Sequence, residues 1–571
     1  MSEEIFHLTV GGQAGQGIKA TSLTLAKIAA RSGKNVYTYT GFPSLIRGGH
    51  NFTQVSISKS EVNGPSNKND FWVALDQKTL DVHAKEFVKG SFILYDEAKK
   101  YDLSKISKES IFLPVPLSQF AKETGGSELQ SNTIALGAVV YLLSGDLEIL
   151  KDLLKEQFGK KGEEVVNLNV QSAQKGYDFA AEHFQDKRLE VLIKEENITP
   201  KIVANGTDSV AMGAIAGGLQ FAAIYPMSPI SNIISVLARY QEKYRFVYKQ
   251  PEDELSAINM TLGASFAGAR TMTATSGGGF ALMSEAYGLA GITETPVVIV
   301  EGMRPGPATG LPTWSGQGDL RFVLHAAQGD FPRIVLAAGD AKESFYLTMK
   351  ALNLAEKYQT SVVLLIDKNI CEDDQTMLPF DISSYEVNRG KMLYEKTDTY
   401  ERYKLEEDGI STRTIPGLGN YFIGNSDEHN QTGFDSEEIE DANSQMQKRM
   451  KKLQTCKSED MEEPVLYGPE DAQTTIVSWG SNKGSILDAL KQLPNVNFLH
   501  ITWVSPFPEE AIKRVLEKAK NVVNIECNYS AAMGNLIKEK TGIEIKNNIL
   551  KYDGRPIFPE EIVEKMKGFS L

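Results

Sequence analysis

Short apolar runs that break into Gly- or Pro-marked turns and then hand over to helices recur along this chain. That alternation restricts it to parallel or mixed sheets covered by helices. The sharpest instance lies mid-chain. Phe221-Ala222-Ala223-Ile224 reads as the end of a buried strand, and Tyr225-Pro226-Met227-Ser228-Pro229-Ile230-Ser231 as a Pro-rich turn into a helix. Glu252-Asp253-Glu254-Leu255-Ser256-Ala257 then sets acidic residues just before an Ala/Gly-rich helix expected over residues 258–270. Unpaired backbone N–H groups and the positive end of the helix dipole favour carboxylates at that position. A small-residue helix lets another backbone come close, which suits a packed subunit or cofactor interface. A strand at 271–275 leads into Ser276-Gly277-Gly278-Gly279 and a second small-residue helix expected over 280–290.

The same alternation organises the rest. Residues 5–10 form a strand, Gly11-Gly12-Gln13-Ala14-Gly15-Gln16-Gly17 a turn, 18–32 a helix and 35–39 a second strand, a βαβ opening. The polar stretch 185–200 reads as a linker. A further unit is expected from about residue 202. Residues 380–465 break the rhythm as a long insertion holding Arg402-Tyr403-Lys404, Asp408-Gly409-Ile410-Ser411, Ser426-Asp427-Glu428-His429 and a charged helix near 437–453. Long loops inside compact proteins tend to be functional or interfacial. The face of that helix near Gln447-Lys448-Arg449 is expected to be solvated. From residue 474 strands and helices alternate again.

Composition excludes several classes. A net charge of −14 argues against a nucleic-acid surface and an anionic membrane. No run approaches the ~20 apolar residues of a membrane span; the best, 133–143, reads as a core helix. Met1-Ser2-Glu3-Glu4 is acidic and lacks the basic-then-apolar order of a signal peptide, so a cytoplasmic location is expected. Cys371, Cys456 and Cys527 are far apart, too few for a four-thiolate cluster, and read as reduced thiols. No pair among the seven histidines has metal-ligand spacing, and His50 and His429 read as solvated or interfacial loop residues. No metal ligand is assigned.

Four motifs in order carry a resemblance: the Tyr-Pro-x-Ser-Pro turn, the acidic segment before the Ala/Gly helix, the Thr275-Ser276-Gly277-Gly278-Gly279 loop, and Arg304-Pro305-Gly306-Pro307-Ala308-Thr309-Gly310. Each is weak alone. Together they resemble the pyrimidine-binding domain of the 2-oxoacid:ferredoxin oxidoreductases, which use thiamine diphosphate. Gly11–Gly17 and Pro43-Ser44-Leu45-Ile46-Arg47-Gly48-Gly49-His50 are similar to the family's gamma domain. The resemblance implies an α/β multidomain chain, a gamma–alpha fusion. Its parts would be a gamma-type α/β domain (1–190), a thiamine-diphosphate-binding pyrimidine fold (200–379), the charged insertion (380–465) and a transketolase C-terminal-like domain (466–571). The implied reaction is coenzyme A-dependent oxidative decarboxylation of a 2-oxoacid to acyl-CoA and CO₂, with ferredoxin reduced. Fused chains of this kind resemble the 2-oxoglutarate enzymes most; an indolepyruvate or branched-chain enzyme, or a non-catalytic docking subunit, are the alternatives.

Thiamine diphosphate becomes nucleophilic when its own 4′-imino group removes the C2 proton, and a carboxyl bonded to N1′ favours that tautomer. Such a carboxyl must be partly desolvated, with its pKa raised toward the working pH. Glu252 and Asp253 are candidates as well, but the family's glutamate, counted back from Ala267-Gly268-Ala269, falls on Glu254. A solvated helix-start acid is the bland alternative. Arg304 follows an apolar strand, at the strand end where ligands bind in open sheets. The resemblance makes it the substrate-carboxylate anchor, a role a guanidinium fork suits; pairing with Glu301 is the other reading.

Ser228 stands where many relatives have Thr, and its hydroxyl would meet cofactor or substrate or simply satisfy the turn. Ser276 and Gly277 would contact the cofactor, against a plain tight turn. The Gly11–Gly17 spacing is not that of a dinucleotide fold, and no acid closes the second strand; the residues leave a backbone nest for an anion as the local reading, and the family resemblance implies a domain that helps cover the active site or receives coenzyme A. No Gly-Asp-Gly occurs. The implied beta subunit would therefore hold the diphosphate through Mg²⁺, and it would also carry a [4Fe-4S] cluster. The expected assembly is a dimer of heterodimers meeting ferredoxin, 2-oxoacid and coenzyme A.

Overall fold

The computed structural model describes residues 5–44 and 49–569. Leu45, Ile46, Arg47 and Gly48 of the second gamma-like motif lie outside the described residues, as do Met1–Glu4. The chain divides into two compact units.

The first takes the described residues up to Ala204, with Asp373–Phe380 and Phe558–Glu560. Its core is an eight-stranded mixed sheet, in spatial order Ile111–Val115, Phe92–Asp96, Phe71–Ala74, Phe6–Gln13, His50–Ser58, Asn35–Gly41, Gln375–Met377 and Ile202–Ala204. The first four run parallel and the remaining pairings are antiparallel. Ile202–Ala204, read above as opening the next unit, is thus the last strand of this sheet. Three residues cannot announce their partner; Gln375–Met377, from far along the chain, supplies it. The apolar run near 133–143 forms the buried helix Gln130–Leu142.

The turn read at Gly11–Gly17 is shorter than expected. Gly11 and Gly12 belong to the strand Phe6–Gln13, and Gly17, with φ of 76°, precedes the helix Ile18–Arg31. Asn132 Nδ2 donates to the Gln16 carbonyl, so the turn is tied down by its own unit. His50 is not a solvated loop residue. It is buried, and its Nε2 lies 2.9 Å from His83 Nε2.

The second unit holds two sheets. The seven-stranded one runs Trp503–Ser505, Ile334–Ala337, Ser361–Asp367, Val297–Met303, Thr271–Thr275, Phe221–Ala223 and Val247–Lys249. Every pairing is parallel except that of Trp503–Ser505. Helices cover both faces, so its central strands are apolar along most of their length, and Val297–Met303 is buried throughout. The smaller sheet, Val465–Tyr467, Val496–His500, Thr474–Ser478, Asn521–Glu526 and Asn547–Leu550, is parallel but for its first strand.

Two expectations fail on helix starts. The Ala/Gly helix runs Glu254–Phe266, four residues earlier than predicted, because Asp253 caps it: its carboxylate accepts the Ser256 N–H at 2.7 Å. The second runs Gly277–Ile292, so the glycine loop is its first turn. On the charged helix, Ile439–Glu459, Gln447 is exposed as expected, but Lys448 and Arg449 are not solvated. Lys448 and Lys452 are buried and pair with Glu294 at 2.6 and 2.5 Å, while Arg449 pairs with Glu428. His429 is buried too, its ring 4.0 Å from that of Tyr403. The charge pattern said solvent; Glu294 lies 154 residues from Lys448, beyond what any local pattern reveals. All three cysteines are free and buried.

Candidate active site

Three neighbouring parallel strands end on one edge of the seven-stranded sheet. Phe221–Ala223 runs into the Tyr225–Ser231 turn, Thr271–Thr275 into Ser276, and Val297–Met303 into Arg304. Thr275 sits beside Glu301 in register, and Met303 beside Asp367. Ligands in such sheets bind beyond the carboxyl ends of the strands, where loops from adjacent strands converge.

The three consecutive acids divide sharply. Glu252 is exposed and accepts the Ser256 hydroxyl at 2.7 Å, and Asp253 caps the helix. Glu254, the first helical residue, is buried, and its Oε1 has no hydrogen-bond partner. The positive helix end lies beneath it. Gly279 makes room for it: a Cβ there would press on Thr275 Oγ1 and lie 2.8 Å from Glu254 Cγ and Oε1. A Cβ at Gly277 would stand 2.6 Å from Asp319 Oδ2. Ser276 holds the N-cap position without capping; its hydroxyl is buried and unpartnered.

Arg304 is half-buried, and its Nη1 donates to the Ser228 carbonyl at 3.0 Å. That bond ties the end of one strand to the turn after another, through the Ser228 backbone; the Ser228 side chain is exposed. Burial lowers the Arg304 pKa, while Asp319 and Glu301 oppose the fall. In the sequence alone Glu301 reads only as a possible ion partner of Arg304, and Asp319 carries no functional signal. Glu301 is fully buried, no N–H or hydroxyl donates to either carboxyl oxygen, and its pKa is pushed well up by burial and then by Asp319, whose carboxyl lies within hydrogen-bonding reach. A glutamate inside an otherwise apolar strand was the available signal. Asp319, at the N-cap position of the helix Leu320–His325, gave only a capping signal.

Buried polar atoms are nearly always paired. Glu254 Oε1 and Ser276 Oγ are both orphaned, both at the start of small-residue helices on this edge, and both can bond a polar group supplied from outside the chain. Among the described residues no three His, Cys, Asp or Glu side chains are grouped to hold a metal ion, and no helix is long and apolar enough to cross a membrane.

Comparison with known proteins makes this an α/β oxidoreductase subunit with a thiamine diphosphate-binding domain. Residues 212–452 match the model of the pyruvate flavodoxin/ferredoxin oxidoreductase thiamine diphosphate-binding domain. Residues 7–179 match that of pyruvate ferredoxin/flavodoxin oxidoreductase, and 472–562 core domain II of pyruvate:ferredoxin oxidoreductase. The 2-oxoacid:ferredoxin oxidoreductase subunit alpha of Sulfolobus is 32% identical over 98% of this chain and 96% of its own. A 2-oxoglutarate oxidoreductase subunit KorA of Mycobacterium tuberculosis is 25% identical over 96% of this chain and 89% of its own. The 2-oxoglutarate:ferredoxin oxidoreductase of Magnetococcus marinus, solved with 2-oxoglutarate, coenzyme A and succinyl-CoA bound, superposes with a TM-score of 0.93. It is 32% identical, covering 99% of this chain and all of that one. The chain belongs to the 2-oxoacid:ferredoxin oxidoreductase family, as an alpha subunit.

Proposed function

We propose that this chain, with a beta subunit, converts a 2-oxoacid and coenzyme A to acyl-CoA and CO₂ while reducing ferredoxin, with 2-oxoglutarate the favoured substrate. The observation that carries the reading is Glu254: a buried carboxyl with one free oxygen, at a helix start, in a space that Gly279 keeps open. The 2-oxoglutarate preference is supported by the Magnetococcus enzyme and the KorA relatives. Thiamine diphosphate supplies, when bound, the electron sink that decarboxylation of a 2-oxoacid requires.

The residues divide the remaining work. Glu254 holds or shares a proton at N1′ of the aminopyrimidine. Ser276 and the first turn at Gly277 meet the same ring system. Arg304 orients the substrate carboxylate by a charge-assisted fork, and Ser228 lines the pocket beside it. Without Gly-Asp-Gly in this chain the Mg²⁺-diphosphate site falls to the beta subunit, and with only three, separate cysteines here so does a [4Fe-4S] cluster.

The test is the assembled complex carrying Glu254→Gln. Oxoacid-dependent ferredoxin reduction is expected to fall by about 10²- to 10³-fold with assembly intact. Unchanged turnover would leave only the docking-subunit reading. A substrate profile of the wild-type complex separates 2-oxoglutarate from indolepyruvate and branched-chain 2-oxoacids.

A further inference from the structure

Glu301 is a carboxyl with nowhere to place a charge. It lies inside the strand Val297–Met303, flanked in register by Thr275 and Leu365, fully buried and with no N–H or hydroxyl donating to either oxygen. A carboxylate so placed takes up a proton rather than remain ionised. The groups that act on it are Asp319, Arg304 and Asp367, with the Cys371 thiol also near. Asp367 is already engaged, accepting the N–H groups of Asn369 at 3.0 Å and of Ile370 and Ser481 at 3.2 Å. Burial pushes Cys371 well up, so it stays a neutral thiol.

Asp319 is the carboxyl that decides where the proton sits. Burial raises it as well, but a protonated Glu301 can donate to it, and that donation and the Arg304 charge draw it back. It lies against Gly277, at the first turn of Gly277–Ile292, where the positive helix end favours an anion. Glu301 has no such help. The proton therefore rests on Glu301 and the charge on Asp319.

We propose that Glu301 is a positioning residue for substrate binding: kept neutral by its surroundings, it leaves the Arg304 guanidinium opposed by one carboxylate, Asp319, and so free to take an anionic substrate. This rests on the reading of Arg304 as the carboxylate anchor. An ionised Glu301 would set a second negative charge beside that guanidinium. Binding of a 2-oxoacid should then weaken as the pH rises through Glu301's ionisation, while kcat follows no such trend.

The experiment uses the complete alpha–beta complex with wild-type, Glu301→Gln and Arg304→Ala chains, measuring KM and kcat for 2-oxoglutarate from about pH 6 to about pH 10. In the wild type KM is expected to rise about tenfold along the alkaline limb, a change worth one pKa unit of interaction. In Glu301→Gln, neutral at every pH, KM should stay within about twofold. Infrared difference spectra should show a protonated-carboxyl band in the wild type that the Gln variant lacks. Persistence of the alkaline KM rise in Glu301→Gln, or the absence of that band in the wild type, overturns the proposal alone. An unchanged KM in Arg304→Ala overturns the anchor reading, and the proposal with it. Should Glu301→Gln fail to assemble, the wild-type titration decides: the band must vanish in step with the rise in KM.

Discussion

Glu254 and Glu301 are both buried carboxyls, yet their settings differ. Glu254 opens a helix, in a space that a glycine leaves to it. Glu301 sits mid-strand with no N–H or hydroxyl donating to it, and burial pushes its pKa well up. Its raised pKa links to stability. Above the ordinary glutamate range the unfolded chain has lost this proton and the folded chain keeps it, so stability falls as the pH climbs toward the folded value. Glu301→Gln should therefore raise Tm, by a margin that widens with pH; a constant margin in melts across the neutral-to-alkaline range would refute this. For Arg304→Ala, KM for the 2-oxoacid should rise by about 10- to 100-fold, the worth of hydrogen bonds to a charged group. Movement confined to ferredoxin or coenzyme A kinetics would contradict the anchor role.

Helix starts decide the next scale. The first turn of Gly277–Ile292 is crowded on two sides, by Glu254 with Thr275 and by Asp319. Gly279→Ala should cost about 1–3 kcal/mol by overpacking and displace Glu254, lowering kcat with it. A variant with wild-type kcat and denaturation midpoint would show that the turn tolerates a side chain. The helix Ile439–Glu459 is held differently, through cations driven into the interior. Burial pushes Glu294 up, but Lys448, Lys452 and Arg402 outweigh it and hold the carboxyl well below its ordinary range. Lys452→Ala leaves that anion short of a partner and should cost about 3–5 kcal/mol in urea unfolding. Lys451, exposed on the same helix, should tolerate the same change with little loss.

At the scale of the whole molecule, the proposed function divides the reaction centre between chains. The purified chain alone should show no 2-oxoacid-dependent dye reduction, and adding the beta subunit should restore it together with bound thiamine diphosphate; activity in the lone chain would refute the division. The family, the α/β class and the enzymatic activity are legible in the amino-acid order itself, because ordered motifs and apolar periodicity are local records of strand, turn and helix. From Thr474–Ser478 to Ala532–Thr541, strands and helices alternate as the same periodicity predicts, the short strand Trp503–Ser505 excepted. What local pattern cannot hold is a partner distant in sequence. The sheet that claims Ile202–Ala204, the burial of Lys448, Arg449, His50 and His429, and the separation of Glu252, Asp253 and Glu254 into surface, cap and buried acid are settled only by folding. Charge and solvation depend on which groups the fold brings within a few ångströms, and the order of residues along the chain does not carry that distance.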